Sequence, residues 1–155
     1  MNPPFGSISS LIPHQGTMCL LERIVSHDDS SITLATTTHR LPDNPLRVDG
    51  RLRAIHLCEY GAQAMAVHGA LKSAADGGKA APGMLVSLRA VMFTRDYVED
   101  LPGELVVTAQ CLQTTPASLQ YQFSISHAGV VIAEGRAAVV LGTVPARTAS
   151  AAARS

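Results

Sequence analysis

Between residues 118 and 128 the chain alternates. Leu119, Tyr121, Phe123 and Ile125 are apolar, and Gln120, Gln122, Ser124 and Ser126 between them are polar. A period of two predicts a strand with one buried face. Three more strand-like runs, at 84–97, 103–113 and 130–142, are set off by the turn signals LPG, TTP and HAG. Upstream, 18–28 predicts a strand entering a turn at His27–Ser30. The β-branched run 31–39 predicts a second strand. Residues 40–51 hold two prolines, Asn44 and Gly50 and predict a loop. Residues 54–72 are apolar or small at nearly every position and predict the one long helix. SISSLIP (7–13) predicts a short helix or turn, and SAADGGKAAPG (73–83) a flexible connection. The tail 143–155 has no apolar period and is expected to be disordered, which leaves 1–142 as one domain.

The order is therefore two strands, one helix, four strands. A helix that is apolar on all sides must be covered all round. A curved antiparallel sheet wrapped around it does that in part, giving an α+β fold. A second subunit would cover the rest, so at least a dimer is expected.

Composition narrows the classes. Hydrophobic residues make up 46% and charged residues 15%, against about 25% charged in an average globular protein. Such a chain can bury a sizeable core, or hide surface in a subunit interface. Twelve acidic and twelve basic residues give zero net charge with no basic block, so nucleic acid is not expected as a partner. The opening MNPPFGSISS lacks a basic segment followed by an apolar one, so no signal peptide is expected. No run approaches the ~20 apolar residues of a membrane span. Cys19, Cys58 and Cys111 are an odd number in apolar segments and read as free buried thiols, which fits the cytoplasm.

One carboxylate interrupts the helix. Glu59 has His56 before it and Gln63 after it. At about 100° per residue, His56 to Glu59 is about 300° and Glu59 to Gln63 about 400°, so the three fall within about 60° of one another as a polar stripe. His68, about 900° from Glu59, lies on the opposite face and reads as structural. A buried carboxylate without partners is costly. Either Gln63 donates to Glu59 in a structural pair, or Glu59 is a general acid or base tuned by burial. His56 stands near the helix start, where it caps the helix, is solvated, or joins the chemistry. Tyr60 reads as packing. No G-x-S-x-G elbow, P-loop or G-x-G-x-x-G occurs. The six histidines show no metal-ligand spacing, and Cys58 points away from His56 and Glu59 on a helix. No metal and no cofactor is therefore expected.

Four segments together resemble the β-hydroxyacyl-ACP dehydratases. LIPHQGTMCLLERIV (11–25) is similar to that family's Leu-Pro-His opening, an apolar run and an Asp-Arg, with Glu22 in place of the Asp. EYGAQAMA (59–66) resembles its Glu-x-x-x-Gln on the central helix. LVSLRAVMFTRDYVEDLPGELVVTAQ (85–110) and GVVIAEGRAAV (129–139) resemble its later strands. The resemblance covers about residues 8–142 and implies a hot-dog fold: a long central helix wrapped by an antiparallel sheet, in a dimer. It implies dehydration of a 3-hydroxyacyl thioester on acyl carrier protein to a trans-2-enoyl thioester. On that map Glu59 is the helix acid, and a backbone N–H at the helix start polarises the thioester carbonyl.

The family carries its histidine base in a Gly-His-Phe-Pro motif fourteen residues before the acid. Here that position is Pro45, and the best local match to the Gly-His is Gly50-Arg51. The base must then come from elsewhere, in the order His14, His56, His39. His14 matches a tunnel-lining position, and Gln63, His39 and Tyr60 are the expected substrate-binding residues. The PHQGTM variant and the altered loop suggest a divergent branch linked to aryl polyene and polyketide-like pathways. The expected partner is an acyl carrier protein or CoA thioester substrate, with no membrane, in a homodimer or a multiple of dimers. Two alternatives stay open. A hot-dog thioesterase would use Glu59 to activate water, and a non-catalytic subunit would bind acyl-ACP or complete a hetero-oligomer.

Overall fold

The computed structural model describes residues 8–13, 16–77 and 83–142. His14, part of the 73–83 connection and the tail 143–155 lie outside the described residues. Six strands and one long helix form the domain: β1 (Arg23–His27), β2 (Ser31–Thr36), α1 (Leu57–Ala75), β3 (Gly83–Phe93), β4 (Leu105–Thr114), β5 (Ser118–His127) and β6 (Val130–Leu141). All neighbours in the sheet are antiparallel, in the order β1-β2-β4-β5-β6-β3. The helix lies across β2, β4, β5 and β6. This is the wrapped-helix architecture expected from the hydrophobic pattern.

The inner faces carry the core. Ile32 and Leu34 of β2, Leu105, Val107 and Ala109 of β4, and Tyr121, Phe123 and Ile125 of β5 are all buried. They meet Leu57, Tyr60, Ala64, Val67 and Leu71 of α1. The alternation read in the sequence is therefore the pleat of β5 under the helix. Phe123 sets the closest approach. A Cβ built on Gly61 of the helix would stand 2.6 Å from its Cδ2, and one on Gly135 of β6 2.9 Å from its Cζ. Two glycines thus seat one ring between helix and sheet.

Several boundaries differ from the sequence reading, among them the start of α1 at Leu57 rather than Ala54 and the end of β3 at Phe93 rather than Tyr97. The first strand begins at Arg23 rather than Met18. Residues 16–18 form a 3-10 turn, and Leu20 is bonded to side chains instead of a ladder, as described below. The second strand stops at Thr36 and runs into a 3-10 turn, Thr38–Arg40. At the other end of the molecule α1 continues to Ala75. Gly77, with φ +79°, then donates to the Ala74 carbonyl while Asp76 donates to Lys72, a left-handed C-terminal stop.

A single sheet leaves one side of α1 uncovered. Cys58, Glu59, Ala62, Ala66, Gly69, Ala70 and Ser73 are only half-buried. β3 is the outer strand beside β6, and among the described residues no strand pairs with its other edge. Met84, Leu85, Val86, Leu88 and Met92 on it are exposed. No helix among the described residues is long and apolar enough to cross a membrane.

Candidate active site

The approach to α1 is built by the loop that runs up to Arg53. Asp49 and Gly50 both have positive φ (54° and 76°), which closes a tight two-residue turn between the bridged Val48 and Arg51. Arg51 does not project as a base. Its Nε donates to Glu99 Oε2 at 2.6 Å, and its guanidinium lies 3.7 Å over the Tyr97 ring. The other Glu99 oxygen accepts the Leu52 N–H at 2.9 Å. Partial desolvation raises the Glu99 carboxyl, and the hydrogen bonds from Leu52 and Arg51 outweigh it, leaving it below the usual range. Arg53 then pairs with Tyr97 as an isolated bridge, and the chain enters a 3-10 turn, Ala54–His56, before α1.

Glu59 stands in the first turn of α1, the one acidic residue of that helix, half-buried on its uncovered side. His56 is half-buried one turn before it. It makes no side-chain cap, so the capping reading is not realised.

Gln63 is fully buried and holds backbone. Its Oε1 accepts the Leu20 N–H at 2.9 Å, and its Nε2 donates to the Met18 carbonyl at 2.6 Å. The Leu20 carbonyl accepts from the hydroxyls of Thr36 and Thr38, both at 2.6 Å. Thr38 Oγ1 is also 3.0 Å from the Tyr60 hydroxyl. Asn44 donates to that hydroxyl at 3.0 Å and to the Thr38 carbonyl at 2.9 Å. Burial raises the Tyr60 phenol above its ordinary value. Residues 18–20 are thereby tied to α1 by side chains from three segments, which is why no strand ladder forms there.

The remaining histidines divide by their partners. His39 is fully buried, and since a carbonyl only accepts, its Nε2–H donates to Leu101 O at 2.9 Å. Among the described residues its Nδ1 has no partner. His68 is fully buried too, donating from Nε2 to the Asp28 carbonyl (2.9 Å) and accepting the Tyr121 hydroxyl at Nδ1 (2.7 Å). Burial pushes the pKa of both histidines down and that of Tyr121 up. His127 holds the next carbonyl of the same turn, Pro102 O, at 2.7 Å.

Of the expected residues, the structure groups Glu59 and His56 on one side of the helix start. Gln63 and Tyr60 lie in the polar network behind them, and His39 is removed to the 101–102 turn. The expected substrate contacts Gln63, Tyr60 and His39 are all closed off from solvent in the single chain. Sequence reasoning missed Thr36, Thr38, Asn44 and Glu99. The run Thr36–His39 carried only a strand signal, and Asn44 only a loop signal. Among the described residues no three His, Cys, Asp or Glu side chains group as metal ligands.

Residues 6–150 match the ApeP-like family, described as ApeP dehydratase. No curated protein matches significantly. Among solved structures, the dehydratase heterocomplex ApeI:P from Xenorhabdus doucetiae superposes with a TM-score of 0.79 at 22% identity, over 88% of this chain and 91% of that one. Zebra fish thioesterase superfamily member 2 gives 0.61 at 15% identity, covering 87% and 93%. A hypothetical thioesterase with coenzyme A from Streptococcus pneumoniae gives 0.57 at 11%, covering 77% and 84%. At these identities the structural likenesses show the hot-dog fold.

Proposed function

The chain belongs to the ApeP-like dehydratase family, and from that premise we propose that it converts a 3-hydroxyacyl thioester, on acyl carrier protein or CoA, to the trans-2-enoyl thioester. Glu59 is the acid and His14 the base, with His56 the second candidate. The base takes the proton from C2, and that electron pair becomes the C2–C3 double bond. The C3 hydroxyl leaves with the Glu59 proton as water. The histidinium then returns a proton to the Glu59 carboxylate.

The observation that carries the reading is the placement of Glu59. A carboxylate sits half-buried in the first turn of an otherwise apolar helix, whose N-terminal backbone dipole favours developing negative charge on a nearby carbonyl oxygen. Gln63 and Tyr60 act behind it as positioning residues. They fix residues 18–20 against the helix. Pro45 occupies the position fourteen residues before Glu59, and Arg51, in the best local match to the Gly-His, is bound to Glu99 and Tyr97, which supports a base supplied from another part of the chain.

A dimer fits the half-buried side of α1 and the unpaired edge of β3. A second reading pairs this chain with a different hot-dog subunit that supplies the base. The same displacement of Arg51 favours it, as does the description of ApeI:P as a heterocomplex. Sedimentation at twice the chain mass, with turnover by the chain alone, selects the homodimer.

The test is Glu59→Gln, nearly isosteric, assayed by hydration of a 2-enoyl thioester through loss of the enoyl absorbance. One general acid or base is typically worth ~10²–10⁴-fold in rate, and a loss of that size is expected with the fold intact. His14→Ala should match it. The enzymatic reading fails if Glu59→Gln turns over like the parent. The order of bases fails if His14→Ala is active and His56→Ala is not. Release of free thiol from a saturated acyl thioester would make the chain a thioesterase instead.

A further inference from the structure

The face of the sheet turned away from α1 carries charges that the proposed reaction does not use. On β5, Tyr121 and Phe123 are buried against the helix, so Gln122 between them points the other way. On β6, Arg136 stands between Gly135, which lies under the Phe123 ring, and the buried Ala137. It points outward too. In register, Gln110, Gln122, Arg136 and Arg89 form one row across β4, β5, β6 and β3. Arg89 and Arg136 are therefore like charges set directly opposite each other, an arrangement that costs stability in an antiparallel sheet.

A bulge keeps them there. Between the Arg89–Arg136 and Met92–Glu134 pairs, β3 has two residues where β6 has one. Val91 turns in toward Gly135, its Cγ2 3.1 Å from where a Cβ would stand. The extra residue, Ala90, takes a φ of +53°. Arg89 and Met92 both face out as a result. With Gln122, Glu134 and Arg136 they line a hollow of about 330 Å³. Among the described residues Arg136 makes no hydrogen bond or ion pair, and Arg89 reaches only the Gln120 amide oxygen, at 3.5 Å. Glu134, on the same wall, forms no ion pair with either.

Two opposed guanidinium forks are matched by one anion with two charges and acceptor oxygens on several sides. A carboxylate brings one charge and a single plane of acceptors. A phosphate monoester brings a charge of about −1.5 to −2 at pH 7 and three acceptor oxygens. Met92 and the Gln122 amide offer its organic end one apolar and one polar contact on the same wall.

We propose that the outer face of β3 and β6 is a binding site for a small phosphate monoester, with Arg89 and Arg136 on the phosphate. The site lies across the sheet from α1 and does not rest on the thioester reading. The probes are inorganic phosphate, glycerol 3-phosphate and acetate, titrated calorimetrically into the full chain at low salt, where exposed charges are least screened. Two charge-assisted contacts give a Kd of about 1 mM for inorganic phosphate. Glycerol 3-phosphate should bind roughly 3-fold more tightly through its added contacts. Arg89→Gln and Arg136→Gln should each weaken both phosphates by about 10-fold. Both side chains are exposed, so the fold is spared. Glu134→Gln should strengthen binding by about 3-fold, as loss of one exposed like charge allows.

The site is overturned if phosphate does not saturate, or if Arg136→Gln binds like the parent. It is also overturned if Arg53→Ala, beside the start of α1, removes the binding while Arg136→Gln keeps it. Acetate binding as tightly as phosphate would refute the choice of a dianion. Glycerol 3-phosphate no tighter than inorganic phosphate would refute the ester. A chain that fails to dehydrate any thioester, yet binds phosphate through Arg89 and Arg136, keeps the site and sinks only the catalytic assignment.

Discussion

Replacing Gln63 by Met separates two roles that the sequence alone left together. Met has similar length and no hydrogen-bonding amide, so the change removes both bonds to residues 18–20 without opening a large hole. The Leu20 N–H is fully buried and loses its acceptor. Orphaning a buried donor costs about 1–3 kcal/mol. Met18 is only half-buried, so its carbonyl recovers water and adds about 0.5–1 kcal/mol. The extra apolar burial of Met returns up to about 1 kcal/mol. The expected net loss is about 2 kcal/mol. With a urea dependence of about 2 kcal/mol per molar, the unfolding midpoint moves down by about 1 M at constant slope. Far-UV circular dichroism in urea reads this directly, and the same samples are assayed for turnover. A residue that contacted substrate would instead leave the midpoint in place and raise KM. A midpoint unchanged to within about 0.5 kcal/mol would refute the positioning role.

Gly61→Ala places a methyl 2.6 Å from Phe123 Cδ2; the overpacking, about 1–3 kcal/mol, should outweigh the ~1 kcal/mol gain in helix propensity. In a double-mutant cycle Phe123→Leu should recover most of the lost thermal stability, and additive losses would contradict the contact. Stability should also fall as pH drops below about 6.5, the free imidazole value. There the unfolded chain takes up protons that buried His39 and His68, with their pKa values held down, refuse. For two histidines the slope reaches about 2.7 kcal/mol per pH unit until the folded pKa values are passed, and it vanishes above about pH 7.5. His68→Gln should remove about half of that slope in urea titrations at stepped pH, and an unaltered slope would count against a neutral, buried His68.

How much of this was legible in the sequence depends on whether a feature is local. The strands β3 to β6 and the helix were readable because side-chain period and turn residues are properties of neighbours along the chain. Glu59 was readable because a carboxylate in an apolar helix is anomalous wherever the helix packs. The ends of β1 and β2 were not. They are set by Gln63 from α1 and by the hydroxyls of Thr36 and Thr38, which take backbone groups that a strand would have used. Nothing within a few residues of Leu20 signals a partner 43 positions away. Arg51 is similar: its type marks it as a departure from a histidine motif, but only the arrival of Glu99 and Tyr97 shows what holds its side chain. Thr38 and Asn44 read as strand and loop, because their hydrogen bonds reach Tyr60 on the helix.

The outer edge of β3 has a consequence for how the chain can be kept. An eleven-residue strand with an open row of backbone donors and acceptors and five exposed large apolar side chains is a template for any extended polypeptide it meets. Arg89 is the one charge along it, so little guards against such pairing. An edge left open in this way invites aggregation through strand pairing, and lower soluble yield at high expression is the expected outcome. A single added charge, as in Val86→Lys, should raise the soluble fraction, read by comparing soluble and insoluble protein after expression.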